Sequence, residues 1–192
     1  MTRAVVTPAD GTVATTERLR LREATDADAP FFVEMLRDPG FVEMIGDRGV
    51  RSLDEARTYV QDRIRASYAR HGYGMYVVER LPDGAALGQC GLVYRDAFAW
   101  TELGYALLPA HAGHGYATEA ARATLRLAGA LGLSEVHATV RAHNAPSVAV
   151  LERLGFVPSG TVTMPGETEA LRHFRHGLVS HGAAARTFRE TD

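Results

Sequence analysis

The chain has 192 residues, 46% of them hydrophobic, with 23 acidic and 21 basic side chains and a formal net charge of −2. These values suit one globular domain and give no general case for nucleic acid or an anionic membrane surface as a partner. A single cysteine, Cys90, excludes an intrachain disulfide, and its setting "LGQCGLVY" reads as a strand holding a buried small hydrophobe.

No run of about 18 apolar residues is present and the start lacks a signal-peptide stretch, so a soluble, cytoplasmic protein is expected. Residues 1–15 lack a clear period and are expected to form a loose arm, followed by one domain over 16–180 and a tail over 181–192. "RLRLREA" alternates, with Leu19 and Leu21 on one face, which predicts a half-buried strand. "TDADAPFFVEMLRD" predicts a helix capped by Thr25 or Asp26, with Phe31, Phe32, Met35 and Leu36 at helical spacing. "SLDEARTYVQDRIRASYARHG" predicts a second amphipathic helix. Its Ser52 and Glu55 form a capping box, Ala56, Tyr59, Val60, Ile64 and Tyr68 its apolar face, and Gly72 its end.

Three strands should follow, "GMYVVER", "ALGQCGLVYR" and "WTELGYALL", the first two joined by the turn Pro82-Asp83-Gly84. A helix over Tyr116 to Leu131, a strand "EVHATVRA", a short helix "PSVAVLERLG" and the strands "FVPSGTV" and "LRHFRHGLV" complete the chain. The strand–helix–strand passage from Trp100 to Ala142 implies a parallel crossover. The fold class is therefore α/β: a mixed central sheet of about seven strands flanked by about four helices.

"AHAGHGYATEA" carries small residues at Gly113, Gly115 and Ala117 where a helix begins. A helix N-terminus presents unpaired N–H groups and partial positive charge, and small side chains let phosphate oxygens approach those amides. The loop lacks the Lys-Ser/Thr ending of a P-loop and the third glycine and acidic ribose ligand of the dinucleotide fingerprint. A ligand-free strand-to-helix turn is the alternative.

With its neighbours "TELGYALLP" and "AHNAPSVAVLERLGF", and the opening "TERLRLREATDADAPFF", this loop resembles the GNAT superfamily of acetyl-CoA-dependent N-acyltransferases. Within it, the chain looks most like the branch of ribosomal-protein N-terminal (Rim-type) acetyltransferases. The resemblance runs in order from about Thr16 to Leu178. It departs at Ala112, where the superfamily's phosphate loop often begins with Gln or Arg. The resemblance implies acetyl-CoA as cosubstrate, without a metal. Leu107 and Leu108 would lie near the pantetheine arm on a strand splayed from its neighbour. Gly113, His114, Gly115, Tyr116, Ala117 and Thr118 would meet the pyrophosphate. It also implies homodimerisation.

Transfer to an amine needs a proton acceptor, an oxyanion donor and help for the departing thiolate. Glu102, six residues before Leu108, stands roughly 20 Å along the strand from the phosphate end and is the candidate base, directly or through water. A structural salt bridge is the alternative. A backbone N–H near Tyr105 or Ala106 would polarise the thioester carbonyl. Ser147 is the candidate acid or thiolate stabiliser, at the position where this branch often has serine. Other members use a tyrosine four residues later, where this chain has Leu151. Asn144 would bond a pantetheine amide. A turn residue before Pro146 is the alternative for Asn144, and local helix capping is the alternative for Ser147.

His111 and His114, and His173 and His176, are spaced three apart, but no Cys or acidic cluster accompanies them, so no metal site is assigned. Arg122 is a candidate phosphate contact or a solvated side chain. Trp100 shares a strand face with Glu102 and forms either a pocket wall or core. "FVEMIGDRGV" should border the acceptor groove, with Glu34, Glu43 and Asp47 as candidate attractors of a cationic acceptor. The expected activity is acetyl transfer to a primary amine, with a peptide or protein N-terminal α-amine leading. The alternatives are a small-molecule amine and a non-catalytic acyl-CoA-binding module.

Overall fold

The computed structural model describes residues 9–178; the expected tail and the start of the expected arm lie outside them. One sheet of eight strands organises the fold, in the order β1-β2-β3-β4-β5-β6-β8-β7. Its strands are β1 (Thr12–Thr15), β2 (Leu19–Arg22), β3 (Met75–Arg80), β4 (Ala86–Arg95), β5 (Trp100–Leu107), β6 (Glu135–Val140), β7 (Val157–Thr163) and β8 (Ala170–Gly177). Every neighbouring pair is antiparallel except β5 and β6. The parallel pair requires the crossover helix α5 (Tyr116–Ala130).

The eighth strand corrects the sequence reading. Thr12–Thr15 is not a loose arm but pairs with Arg20–Arg22 of β2. Four residues are too short to show a period, and the partner strand decides their conformation.

Strand alternation divides the core in two. Tyr76, Val78, Leu92 and Leu103 pack with α5 and α6 (Ala145–Arg153) on one face. Val77 and Ala106 pack with α1 (Ala29–Arg37) and α3 (Leu53–Tyr59) on the other. On α5 the inward residues Ala120, Ala121, Thr124 and Ala128 are small and fully buried, so the helix lies close to the sheet. Cys90 is sealed there, with Sγ 3.3 Å from Thr124 Oγ1. Burial pushes its thiol up to about 12, which makes it an inert hydrophobe.

The capping box at Ser52 and Glu55 is formed, with Glu55 N–H donating to Ser52 Oγ at 3.3 Å and Ser52 N–H to Glu55 at 2.9 Å. Gly72 ends the rod in the left-handed region, φ 75°. Between α3 and α4 (Ala66–His71) the rod passes through a π-helical stretch over Val60–Arg65. Its inward residues Ala56, Val60, Ile64 and Tyr68 recur every fourth position. An α-helix would rotate that stripe by about 40° per repeat, and wider turns hold it on the sheet.

A further helix, α2 (Pro39–Ile45), was not anticipated. Asp38 caps it by accepting from Phe41 N–H at 3.0 Å, with Pro39 at its first position. That Asp-Pro start was a legible signal.

Arg22 fastens β2 to β3 and to the turn before α1. Its Nη atoms donate to Asp28 at 2.8 and 2.6 Å and its Nε to Glu79 at 2.5 Å. Burial pushes the Asp28 carboxyl up, but the Arg22 guanidinium and the Thr25 N–H outweigh it and hold it below 3.8. A carboxylate with a lowered folded pKa stabilises fully above its unfolded value, and the contribution fades as pH falls through the folded one. Replacing Arg22 with Met should lower the urea-unfolding free energy at neutral pH by roughly 3 kcal/mol, because buried Asp28 loses its guanidinium and Glu79 keeps only Arg20. The variant should lose less stability than the wild type as pH falls through the carboxylate range, because without Arg22 the buried Asp28 carboxyl no longer has a lowered folded pKa. An unchanged urea midpoint would show that Arg22 is not the fastening.

Candidate active site

The parallel strands β5 and β6 share one bridge, Glu102 opposite His137. Beyond it they part, and a cavity of about 1180 Å³ opens between them. Leu103 to Leu107 line one side, Ala138 to Arg141 the other, and Asn144, Pro146 and Ser147 of the α6 start close the end.

Glu102 stands at the fork and is 3% exposed. Its Oε1 accepts from the Thr139 N–H at 2.9 Å and from the Thr139 hydroxyl. Its Oε2 accepts from Arg95 Nε. The carboxylate therefore ties β5 to β6 across the point of divergence while lining the cavity. The salt bridge weighed for this residue is present, and the side chain still reaches the space where an acceptor would enter.

At the cavity's other end is the loop into α5. Gly113 and Gly115 adopt φ 78° and 79°, the left-handed region that favours glycine. A Cβ on Gly113 would meet nothing within 4 Å, and one on Gly115 only Arg18 Nη2 at 3.5 Å. Ala112, Gly113, Gly115, Tyr116, Ala117 and Thr118 line the cavity. The loop is braced from behind. Glu119, in the first turn of α5, accepts from the Thr16 hydroxyl at 2.6 Å and from Arg18 Nε at 2.7 Å. Arg18 also donates to the His114 carbonyl at 3.1 Å and lies 4.6 Å over the Tyr116 ring. This is a cleared helix N-terminus suited to anionic oxygens.

Two expected contacts fall outside the lining. Leu108 is buried with the α1–α3 core, and the His114 ring stacks on Tyr116 at 5.8 Å. Leu107 lines the cavity. Asn144 is the N-cap of α6, its Oδ1 accepting from Ser147 N–H at 3.1 Å. Ser147 instead places its Oγ 2.8 Å from the Tyr105 hydroxyl. Arg122 lines a neighbouring cavity of about 470 Å³ with Arg18, Arg126 and Arg153; the two cavities share Gly115, Thr118 and Arg153.

The "FVEMIGDRGV" segment does border the cavity, through Phe41, Met44, Ile45 and Arg48. The acids named there are engaged elsewhere or exposed: Asp47 pairs with Arg51, Glu43 lies 3.6 Å from His143, and Glu34 is exposed. Arg141 lines the opposite wall, with Nη1 on Glu169 and a buried Nε that has no partner. Phe98 also lines the cavity and stacks on Trp100 at 4.6 Å, whereas Trp100 is not a lining residue. Trp100 in turn covers two imidazoles, His137 at 4.5 Å and His173 at 4.6 Å. These are joined by a 2.9 Å hydrogen bond, a pairing across β6 and β8 that linear spacing conceals. Among the described residues no group of three or more His, Cys, Asp or Glu side chains is arranged to hold a metal ion.

A sheet forked beside a cleared helix N-terminus defines an acyl-CoA-type transferase site, and comparison agrees. The acetyltransferase (GNAT) domain profile matches residues 18–157, and the chain belongs to this family of N-acetyltransferases, which act with acetyl-CoA. It is 32% identical over 155 residues to the uncharacterised protein YkkB of Bacillus subtilis, covering 77% of this chain and 86% of that one. An acetyltransferase structure from Agrobacterium tumefaciens is similar at TM-score 0.73 and 28% identity, over 86% of this chain and 94% of that one. A RimL ribosomal L7/L12 alpha-N-protein acetyltransferase shares the fold at TM-score 0.71 and 18% identity, over 87% and 94%.

The stacked histidines generate a prediction. Burial lowers the His137 pKa below 6.5, outweighing the raising effect of Glu135. A histidine with a lowered folded pKa costs no stability above its unfolded value and destabilises progressively as pH falls below it. Trp100 is the sole tryptophan and touches the titrating ring. Its emission should fall as His137 becomes an imidazolium, with a midpoint below 6.5. A fluorescence midpoint above 6.5 would contradict this assignment.

Proposed function

We propose that the chain transfers the acetyl group of acetyl-CoA to a primary amine, with a peptide or protein N-terminal α-amine as the preferred acceptor. The observation that carries the reading is the fork: one cavity runs from Glu102 to the amides of Gly113 to Thr118. The parted β5 edge offers backbone groups to the amides of an extended pantetheine arm. The loop amides receive the pyrophosphate, and the neighbouring arginines favour a ligand carrying several phosphates. Asn144 keeps its amide N–H₂ available for the arm while its oxygen caps the helix.

In this reading the acceptor enters past α2 and Phe98 toward Glu102. Glu102, its carboxylate already accepting three hydrogen bonds, acts through a water held between it and the amine. That suits an α-amine, whose pKa of about 8 leaves a usable neutral fraction, better than a lysine amine near 10.4. The amine attacks the thioester carbon, the oxyanion meets a β5 backbone N–H near Tyr105 or Ala106, and Ser147 steadies the departing thiolate. The RimL neighbour, an alpha-N-protein acetyltransferase by description, supports the same acceptor class.

Calorimetric titration with acetyl-CoA, CoA and NADH tests the first half. Acetyl-CoA and CoA should bind and NADH should not, and Gly115→Glu should abolish binding in a protein whose circular dichroism is unchanged. CoA release with a panel of N-terminal peptides and small amines tests the second. Peptides should turn over fastest, and Glu102→Gln should lower kcat about 10²- to 10⁴-fold with acetyl-CoA affinity retained. Turnover confined to small amines would reassign the acceptor. Binding without turnover of any amine would reduce the protein to an acyl-CoA-binding module.

A further inference from the structure

Ser147 does not stand alone. The Tyr105 hydroxyl, reaching across from β5, lies 2.8 Å from Ser147 Oγ and donates to the Ser147 carbonyl at 3.0 Å. Both residues line the cavity. On α6, the position four residues after Ser147 holds Leu151, fully buried in the main core, so no phenol is available from that helix. Tyr105 brings one to the same hydroxyl from the opposite wall. Burial raises the Tyr105 phenol to about 12, more than the Ser147 bond lowers it, so it remains a proton-bearing donor at neutral pH.

A phenol has one proton to give and can accept in return. While Tyr105 donates to the Ser147 carbonyl, the Ser147 proton is free to point back at Tyr105. If the Tyr105 proton turns to Ser147 Oγ, the Ser147 proton must point elsewhere, and the cavity is the open direction. The two arrangements differ by rotation of two O–H bonds, with no heavy atom displaced.

We propose that Tyr105 is a positioning residue that orients the Ser147 hydroxyl toward the sulfur of CoA when that sulfur becomes anionic. The proposal rests on the acetyl-CoA reading above. When the C–S bond breaks its electron pair stays on sulfur, and a C–N bond has formed in its place. The surplus amine proton leaves by way of Glu102 and water. Ser147 and Tyr105 keep their protons; they donate hydrogen bonds to the thiolate and to Ser147 Oγ respectively, until solvent protonates the thiolate.

The experiment uses free CoA and needs no acceptor. The CoA thiol is titrated in its complex with the whole protein, read as thiolate ultraviolet absorbance after subtracting the protein alone at each pH. Its pKa in the wild-type complex should lie below that of free CoA. Tyr105→Phe and Ser147→Ala should each reduce the thiolate fraction about tenfold at a fixed pH, a shift of about one unit. The double variant should go no further than either single one, because the two hydroxyls act as one unit. With a productive amine, Tyr105→Phe should lower kcat and leave the KM for acetyl-CoA unchanged. A Tyr105→Phe complex with the wild-type thiol pKa, or additive shifts in the double variant, would overturn the proposal and leave the acetyl-CoA reading intact. Absence of CoA binding by folded wild-type protein would overturn that reading and this proposal with it.

Discussion

Everything at this site depends on a carboxylate placed where two parallel strands stop pairing. Parallel strands that meet once would ordinarily go on meeting, because each unpaired N–H and C=O inside a sheet is costly. Here the side chain of Glu102 crosses the fork and takes both the N–H and the hydroxyl of Thr139, so β6 is held at the point of departure by a side chain instead of a ladder. Arg95 offsets the buried charge. The remaining edge of β5 then faces a cavity, open to the amides of an extended ligand.

This placement constrains the chemistry as well as the shape. Three donors occupy the Glu102 carboxylate. A carboxylate with both oxygens free for the amine would need fewer donors, but with fewer donors the fork would lose its tie. The proposed acceptor follows from that conflict: an amine that is partly neutral already asks least of Glu102. The same economy recurs at the other end of the reaction. There the phenol of Tyr105 meets the Ser147 hydroxyl, and neither must give up its proton.

How much of this was legible in the sequence depends on how local each cause was. The Ser52–Glu55 box, the Gly72 stop and seven of the eight strands follow from short-range chemistry and alternation. The strand Thr12–Thr15 escaped because its conformation is imposed by β2, and α2 because its cap, Asp38, closes the stretch assigned to the preceding helix. The glycine loop, Glu102 and Ser147 were legible as candidates because motif spacing carries them. Their partners were not. Arg95 reaches Glu102 across the β4–β5 pairing, Thr139 reaches it across the fork, and His137 meets His173 across β6 and β8. The register that makes these contacts exists only once the sheet has formed. Leu108 and His114 lie outside the cavity lining for a related reason: Leu108 is buried in the α1–α3 core and His114 stacks on Tyr116, contacts that only the folded chain creates.

The glycine loop has two causes that must be separated. Positive φ at Gly113 and Gly115 would select glycine in a turn that binds nothing. Ala117 lies inside α5, where the backbone makes no such demand, yet it too is small and lines the cavity. The brace of Thr16, Arg18 and Glu119 fixes the loop through side chains of this chain alone. The amides are thus aimed before any phosphate arrives, and binding need not order them. A turn whose glycines served the backbone alone would not call for a small residue at Ala117 as well, and that is why the loop reads as suited to an anion.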